Sequence, residues 1–130
     1  MSAPGQRAAV EQLVHALHQS RLQPDLERLC ALFAPDARLR IVGTSDGKAV
    51  AIDARGVDQI RHWLSMLVKT FRLTDYELLS MLVDGERAVA HWRVCVRSRI
   101  TGAVVWNELM DLIDTRAGRI TAHTEFFVPG

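Results

Sequence analysis

Excess charge, cysteine, tyrosine and long apolar runs are all scarce in this chain of 130 residues. Sixteen lysines and arginines meet fifteen aspartates and glutamates, leaving a formal net charge of +1, and no run of about five or six like charges occurs. That balance argues against nucleic acid or an anionic membrane surface as the main partner. The two cysteines, Cys30 and Cys95, fall in different apolar segments without metal-ligand spacing. They read as reduced core thiols of an intracellular protein, and nothing indicates a disulfide. No apolar run approaches the roughly 18 residues of a membrane span, and the first residues, MSAPGQRAAVEQ, lack an apolar signal core. The expected location is therefore cytoplasmic, with no membrane partner. A phosphate loop, a serine nucleophile motif and a dinucleotide fingerprint are also missing, so no cofactor is expected. With one tyrosine and little basic charge beside them, Trp63, Trp92 and Trp106 read as core or interface rather than as a base-stacking platform.

What is present is apolar patterning. At 48% hydrophobic and 24% charged residues, the chain fits a single domain, 1–130, large enough for a real core. Val10, Leu13, Val14 and Leu17 recur at three- and four-residue spacing and predict a helix over 6–20. Pro24 suits the first turn of a second helix, with Asp25 favourable near its N-terminus, Leu26, Leu29, Cys30 and Phe33 as its buried stripe, and Pro35 as its stop. ARLRIVG then alternates as a strand, SDG turns, and KAVAIDA returns. After Gly56, Val57, Ile60, Leu64 and Leu67 mark a third amphipathic helix. From there YELLSMLV, RAVAHWRVCVRSRI and the stretch from 104 to 128 read as an antiparallel meander of four long strands, turned at Asp84-Gly85, Thr101-Gly102 and Arg116 to Gly118.

The stretch VVWNELMDLIDTRAGRITAHTEFFV places Asp111, His123 and Glu125 among residues suited to burial. A carboxylate taken out of water must be paired, hydrogen-bonded or protonated, so these groups are either structural salt bridges or a site. Which face they occupy depends on strand parity, because a one-residue slip reverses every side chain. A two-residue turn at Asp84-Gly85 sets Tyr76 across from Arg93, with Leu78, Ser80, His91 and Cys95 on their face and Trp92, Val94 and Val96 on the other. A three-residue loop at Arg116 to Gly118 sets Leu109 across from Glu125 and Asp111 across from His123, whereas a two-residue loop breaks that pairing. At Thr101-Gly102, two turn residues put Glu108 with Arg93, and three put Leu109 and Asp111 there.

Helix, helix, hairpin, helix and four antiparallel strands make an α+β order in which helices cover one face of a single curved sheet. With DLERLCALFAPDARLRI (25–41), RGVDQIRHWL (55–64) and DLIDTRAGRI (111–120), the chain resembles the nuclear transport factor 2-like superfamily, in particular its SnoaL-like and ketosteroid-isomerase-like members. The resemblance implies a cone-shaped domain with three helices on the concave face of the sheet, a pocket between them, and dimerisation through the sheet. It also selects the three-residue version at Thr101-Gly102, because it places Asp111 where ketosteroid isomerases carry a pocket aspartic acid. Glu125 and Arg93 fall on the catalytic aspartate and arginine of limonene-epoxide-hydrolase-like members. Departures are equally specific. Cys95 stands at that family's other aspartate, Leu39 and Ile41 at its water-positioning residues, Ile41 at the isomerase's general base and Leu17 at its helix-one tyrosine.

The expected catalytic set is therefore Asp111, Glu125, Arg93, His91 and His123, with Tyr76, Cys95, Asn107, Leu109, Phe127 and Leu17 facing the ligand. Arg93, Asp111 and Glu125 are expected to share one cavity. Each has a structural alternative: the carboxylates and Arg93 as a buried ion pair, the two histidines as satisfied core or rim groups, Tyr76 as a buried residue with its hydroxyl satisfied. His15 and His18, three apart on helix one, are expected at the surface or rim, and Glu108 at the rim or interface. No close ligand spacing lies on one element, so no metal is expected. Two functions fit: a cofactor-free acid–base enzyme on a small apolar carbonyl or hydroxyl compound, such as an isomerase, cyclase or dehydratase, or a non-catalytic ligand-binding or dimerisation module. A homodimer is expected in either case, since Trp92, Val94, Val96, Met110 and Phe126 would otherwise face water.

Overall fold

The computed structural model describes residues 4–130. Its elements run α1 (Pro4–Leu22), α2 (Leu26–Ala31), β1 (Phe33–Ser45), β2 (Lys48–Arg55), α3 (Val57–Thr70), β3 (Phe71–Asp84), β4 (Arg87–Ser98), β5 (Val104–Arg116) and β6 (Arg119–Pro129). The six strands form one curved, unclosed sheet in the order β2-β1-β6-β5-β4-β3. All neighbours are antiparallel except β1 and β6, which run parallel. The helices pack on the concave side, α1 against β3 and β4 and α3 against β1 and β2, giving the expected α+β cone. No helix among the described residues is long and apolar enough to cross a membrane.

The second helix is shorter than its apolar stripe suggests. Asp25 is its N-cap, accepting from the Arg28 N–H at 3.1 Å, so Pro24 stands outside the helix rather than in its first turn. The chain is already extended at Phe33, which enters β1. There Phe33, Ala37, Leu39 and Ile41 alternate into the core. Gly43 follows, where β6 comes too close for a side chain: a Cβ would lie 2.4 Å from the Phe127 carbonyl oxygen. α3 buries Ile60 and Leu64.

Three turns decide which side chains meet inside, and each differs from the simplest reading of its sequence. Asp84 pairs with Arg87, so the β3–β4 turn is Gly85-Glu86, one residue later than expected. Two irregularities further along β3 then move the register by one step each, between Leu78 and Ser80 and between Thr74 and Glu77. The second contains Asp75 at φ 57, a left-handed conformation that a short polar side chain tolerates. As a result Leu78 faces Trp92, and Glu77 rather than Tyr76 pairs with Arg93.

Between β4 and β5 the loop is 99–102, closed by a Ser98 N–H to Ala103 carbonyl bond of 2.9 Å. Arg93 thus pairs with Glu108, and Trp92 with Leu109, overturning the choice that put Arg93 with Leu109 and Asp111. The last turn, with Arg116 pairing Arg119, has the two residues that would have broken the expected pairing. A bulge between Asp114 and Thr115 restores the parity. The faces are as expected but the partners are shifted by two: Asp111 lies directly opposite Glu125 and not His123, Leu109 opposite Phe127 and not Glu125, and Ile113 opposite His123.

The interior faces are therefore Ala88, Ala90, Trp92 and Val94 of β4, with Leu109, Asp111 and Ile113 of β5, all buried. Trp92 and Val94 belong to the core, not to the outer face assigned to them from sequence. The outer face carries His91, Arg93, Trp106, Glu108, Met110 and Phe126, of which Trp106, Met110 and Phe126 are exposed large apolar groups. Cys30 and Cys95 are both free and buried.

Candidate functional site

The helix-one stripe continues past Leu17 to His18 and Arg21, the next positions on the same helical face as Val10 and Val14. His18 is buried to 1% exposure, not at the surface or rim. Its Nε2 lies 2.7 Å from Asp111 Oδ2, and its Nδ1 lies 2.7 Å from the Tyr76 hydroxyl oxygen. The same Asp111 oxygen accepts from the Trp92 indole N–H at 2.8 Å, and Oδ1 lies 2.9 Å from His123 Nε2. Asp111 is wholly buried, and three ring nitrogens surround its carboxylate. Burial alone would push this carboxyl up. The imidazoles of His123 and His18 outweigh that and hold it well below the usual carboxylate range, so it is ionised and accepts from all three rings.

Tyr76 is the one member of this chain that is only partly buried. Desolvation, aided by the Asp111 charge, pushes its phenol up to about 12, so the hydroxyl keeps its hydrogen at any physiological pH. Its ring lies 5.4 Å from His18 and 5.6 Å from Trp92, and the His18 and Trp92 rings are 4.5 Å apart. Leu22, Leu73, Leu78, Val96 and Phe127 pack around this aromatic group.

Glu125 is paired with Arg21 from α1, whose guanidinium also lies 5.7 Å from the centre of the Trp92 ring. The arginine that meets Glu125 is therefore Arg21 and not Arg93. On the outer face Arg93 sits 4.7 Å over Trp106 and 3.8 Å from Glu77. His91 likewise points outward and meets Glu108 at 2.5 Å, so neither of them shares a face with Asp111. Cys95 alternates with Val94 and so follows Arg93. Leu17, Leu109 and Phe127 lie in the interior clusters. Asn107 lies on the Asp111 face of β5, nearer its start, and its amide reaches the Val105 carbonyl at 3.5 Å.

Among the described residues, two buried polar side-chain atoms have no partner, the Ser20 hydroxyl and His123 Nδ1. Asp111, His123 and Glu125 bring one candidate metal-ligating atom each within 4.8 Å of one another. Both carboxylates already have partners, Asp111 at the rings of His18, His123 and Trp92 and Glu125 at the guanidinium of Arg21. Two surface clefts lie elsewhere. One of about 530 Å³ is lined by Leu26, Arg61, His62 and other α3 residues, and one of about 230 Å³ lies between the start of α1 and the turns at Glu86 and Gly118.

Among solved structures, a Bacillus subtilis protein labelled an isomerase superposes with a TM-score of 0.81 at 15% identity, over 94% of this chain and 88% of that one. A Xanthomonas campestris protein labelled a polyketide cyclase gives 0.72 at 20% identity, over 93% and 91%. An epoxide hydrolase of M. tuberculosis, described as LEH-like, gives 0.72 at 16% identity, over 95% and 85%. Likeness at these identities defines the fold, the nuclear transport factor 2-like cone, and not the chemistry. A search of curated proteins gives no match. Residues 10–123 match the family model described as the SnoaL-like domain, and the chain belongs to that family.

Proposed function

We propose that this chain is a cofactor-free acid–base enzyme acting on a small, largely apolar carbonyl or hydroxyl compound, with isomerisation, cyclisation or dehydration as the reaction type. The observation that supports it most is the unbroken path from Asp111 through His18 to Tyr76, which links a buried carboxylate to a partly exposed phenol. In this reading Tyr76 meets the ligand oxygen, His18 moves the proton, and Asp111 holds the ring and stabilises its charge. His123, Trp92 and the Arg21–Glu125 pair keep Asp111 and α1 in place. Leu39 and Ile41, apolar neighbours of His123 and Glu125 in the β1–β6 register, supply no second carboxylate or water-holding group at those two positions. That argues against epoxide hydrolysis and against ketosteroid isomerisation in its usual form.

The second reading, a non-catalytic ligand-binding or dimerisation module, is supported by two observations. Both Asp111 oxygens are already taken, and neither of the two clefts described is lined by Asp111, His18 or Tyr76. In both readings the chain acts as one domain and pairs through its outer sheet face into a homodimer.

Native mass spectrometry of the protein as isolated, followed by identification of any retained small molecule, tests ligand binding. Proton NMR of carbonyl compounds in deuterated water then tests chemistry. The enzyme reading expects faster exchange of α-hydrogens with the wild type and none above background with Tyr76→Phe or Asp111→Asn. Ligand retention without exchange for any bound carbonyl supports the module.

A further inference from the structure

Asp111, Glu125, His18 and His123 are buried close to Trp92 with the partly buried Arg21 at their edge, and their charges can be counted. With both carboxylates ionised and Arg21 cationic, the cluster carries one uncompensated negative charge unless one imidazole is protonated. An unbalanced buried charge costs several kcal/mol, so one proton belongs on one of the two rings. The rings differ in what their far nitrogens meet. His123 Nδ1 has no partner, and an imidazolium there would bury an unsatisfied N–H. His18 has an acceptor at each nitrogen, Asp111 Oδ2 at Nε2 and the Tyr76 oxygen at Nδ1, both at 2.7 Å.

We infer that the proton sits on His18, that the ring donates to Asp111 and to Tyr76 at once, and that the Tyr76 hydroxyl hydrogen is thereby freed to point away from the relay. Were His18 neutral, its Nε2–H would go to Asp111 and its bare Nδ1 would take the Tyr76 hydrogen, leaving only lone pairs for a ligand. The placement of one proton therefore sets the polarity of the site. With His18 cationic, Tyr76 is a hydrogen-bond donor, reinforced by the charge behind it, and selects ligands that present an acceptor oxygen, a carbonyl or enolate rather than a donating hydroxyl. His123, in its neutral form with the hydrogen on Nε2, is a positioning residue: it fills Oδ1 and leaves Oδ2 to His18 and Trp92. The ligand class rests on the function proposed above, whereas the proton placement does not.

Nitrogen-15 NMR of histidine-labelled protein reads the placement directly, with His18 assigned through a His18→Asn variant. At about pH 7 His18 should show hydrogens on both ring nitrogens, and His123 on Nε2 only. A bare Nδ1 on His18 overturns the inference. Tyr76→Phe gives an independent sign: losing an acceptor should lower the imidazolium fraction of His18, whereas losing a donor to a neutral ring would raise it and refute the assignment. If wild-type protein binds cyclohexanone, Tyr76→Phe should weaken that binding by about tenfold and leave cyclohexane unaffected. Imidazolium at His18 without any ketone binding would sink the ligand reading and leave the proton placement standing. A neutral His18 with ketone bound would do the reverse.

Discussion

Arg21, in the last turn of α1, is paired with Glu125 on β6, and their side chains are only 13% and 5% exposed. The pair fastens the end of the helix to the middle of the sheet. Arg21→Met should leave Glu125 without its countercharge and cost about 3 to 5 kcal/mol. Arg21→Met with Glu125→Leu should recover most of that, since an apolar pair of similar volume needs no countercharge. Urea denaturation of the three proteins at neutral pH measures both, and equal losses in the single and double variants would refute the argument.

Asp111 should make the fold acid-sensitive in a defined direction. Its folded-state value is depressed below the ordinary 3.8, so the native state prefers the ionised form. The stability it contributes is complete above the unfolded value and is shed as pH falls below it toward the folded value. The wild-type urea midpoint should therefore drop between about pH 5 and about pH 3 more steeply than that of Asp111→Asn. At neutral pH the variant should already be weaker by several kcal/mol, on the order of two charge-assisted bonds. Parallel pH profiles for the two proteins would count against this role.

Tyr76 is the only tyrosine in the chain, so ultraviolet titration of tyrosinate reports on it alone. The midpoint is expected at about 12, against 10.0 for a free phenol. Because burial is the larger cause and the Asp111 charge the smaller, Asp111→Asn should bring the midpoint down by only part of the difference. A wild-type midpoint at the free value would mean that the hydroxyl is solvated and not held against His18. By linkage, the raised value adds stability that is present below about 10 and lost as pH rises toward 12.

The outer face presents Trp106, Met110, Leu112, Phe126 and Val128 on two adjacent strands, each 39% exposed or more. A contiguous apolar surface of that kind is expected to be covered by a second copy. Sedimentation should give a dimer at micromolar concentration. Met110→Asp with Phe126→Asp should give a monomer whose circular dichroism is unchanged. A wild-type monomer would refute the proposed assembly.

Helices, the strand meander and the shared face of Asp111 and Glu125 were legible because they follow from periodicity and alternation, which depend on local residue type, although the expected partner of Asp111 was His123 and the structure sets Glu125 there. The face of Arg93 was not, because it hangs on whether the loop after Ser98 has an odd or even number of residues. Thr101-Gly102 fixes a turn without fixing its length. The β5–β6 parity came out as expected even though the loop is shorter, since the bulge at Asp114 and Thr115 offsets it. Bulges leave little trace in sequence, and Asp75 is visible only as a polar residue inside an apolar strand. His18 is different. Its place four residues after Val14 and three before Arg21 puts it on the buried stripe, and the signal was there to be read. Arg21 was hidden by the end of the helix, where charged residues usually face water.

The position of β6 has a consequence for folding. This strand lies in the interior of the sheet, between β1 and β5, and joins the β1–β2 hairpin to the β3–β5 meander. Each of those two units pairs only strands that follow one another along the chain, whereas β6 must also pair with β1, more than seventy positions earlier. Until residues 119–129 are paired, β1 and β5 each present an open edge, and the apolar insides of both units await a partner. One strand therefore closes two edges at once.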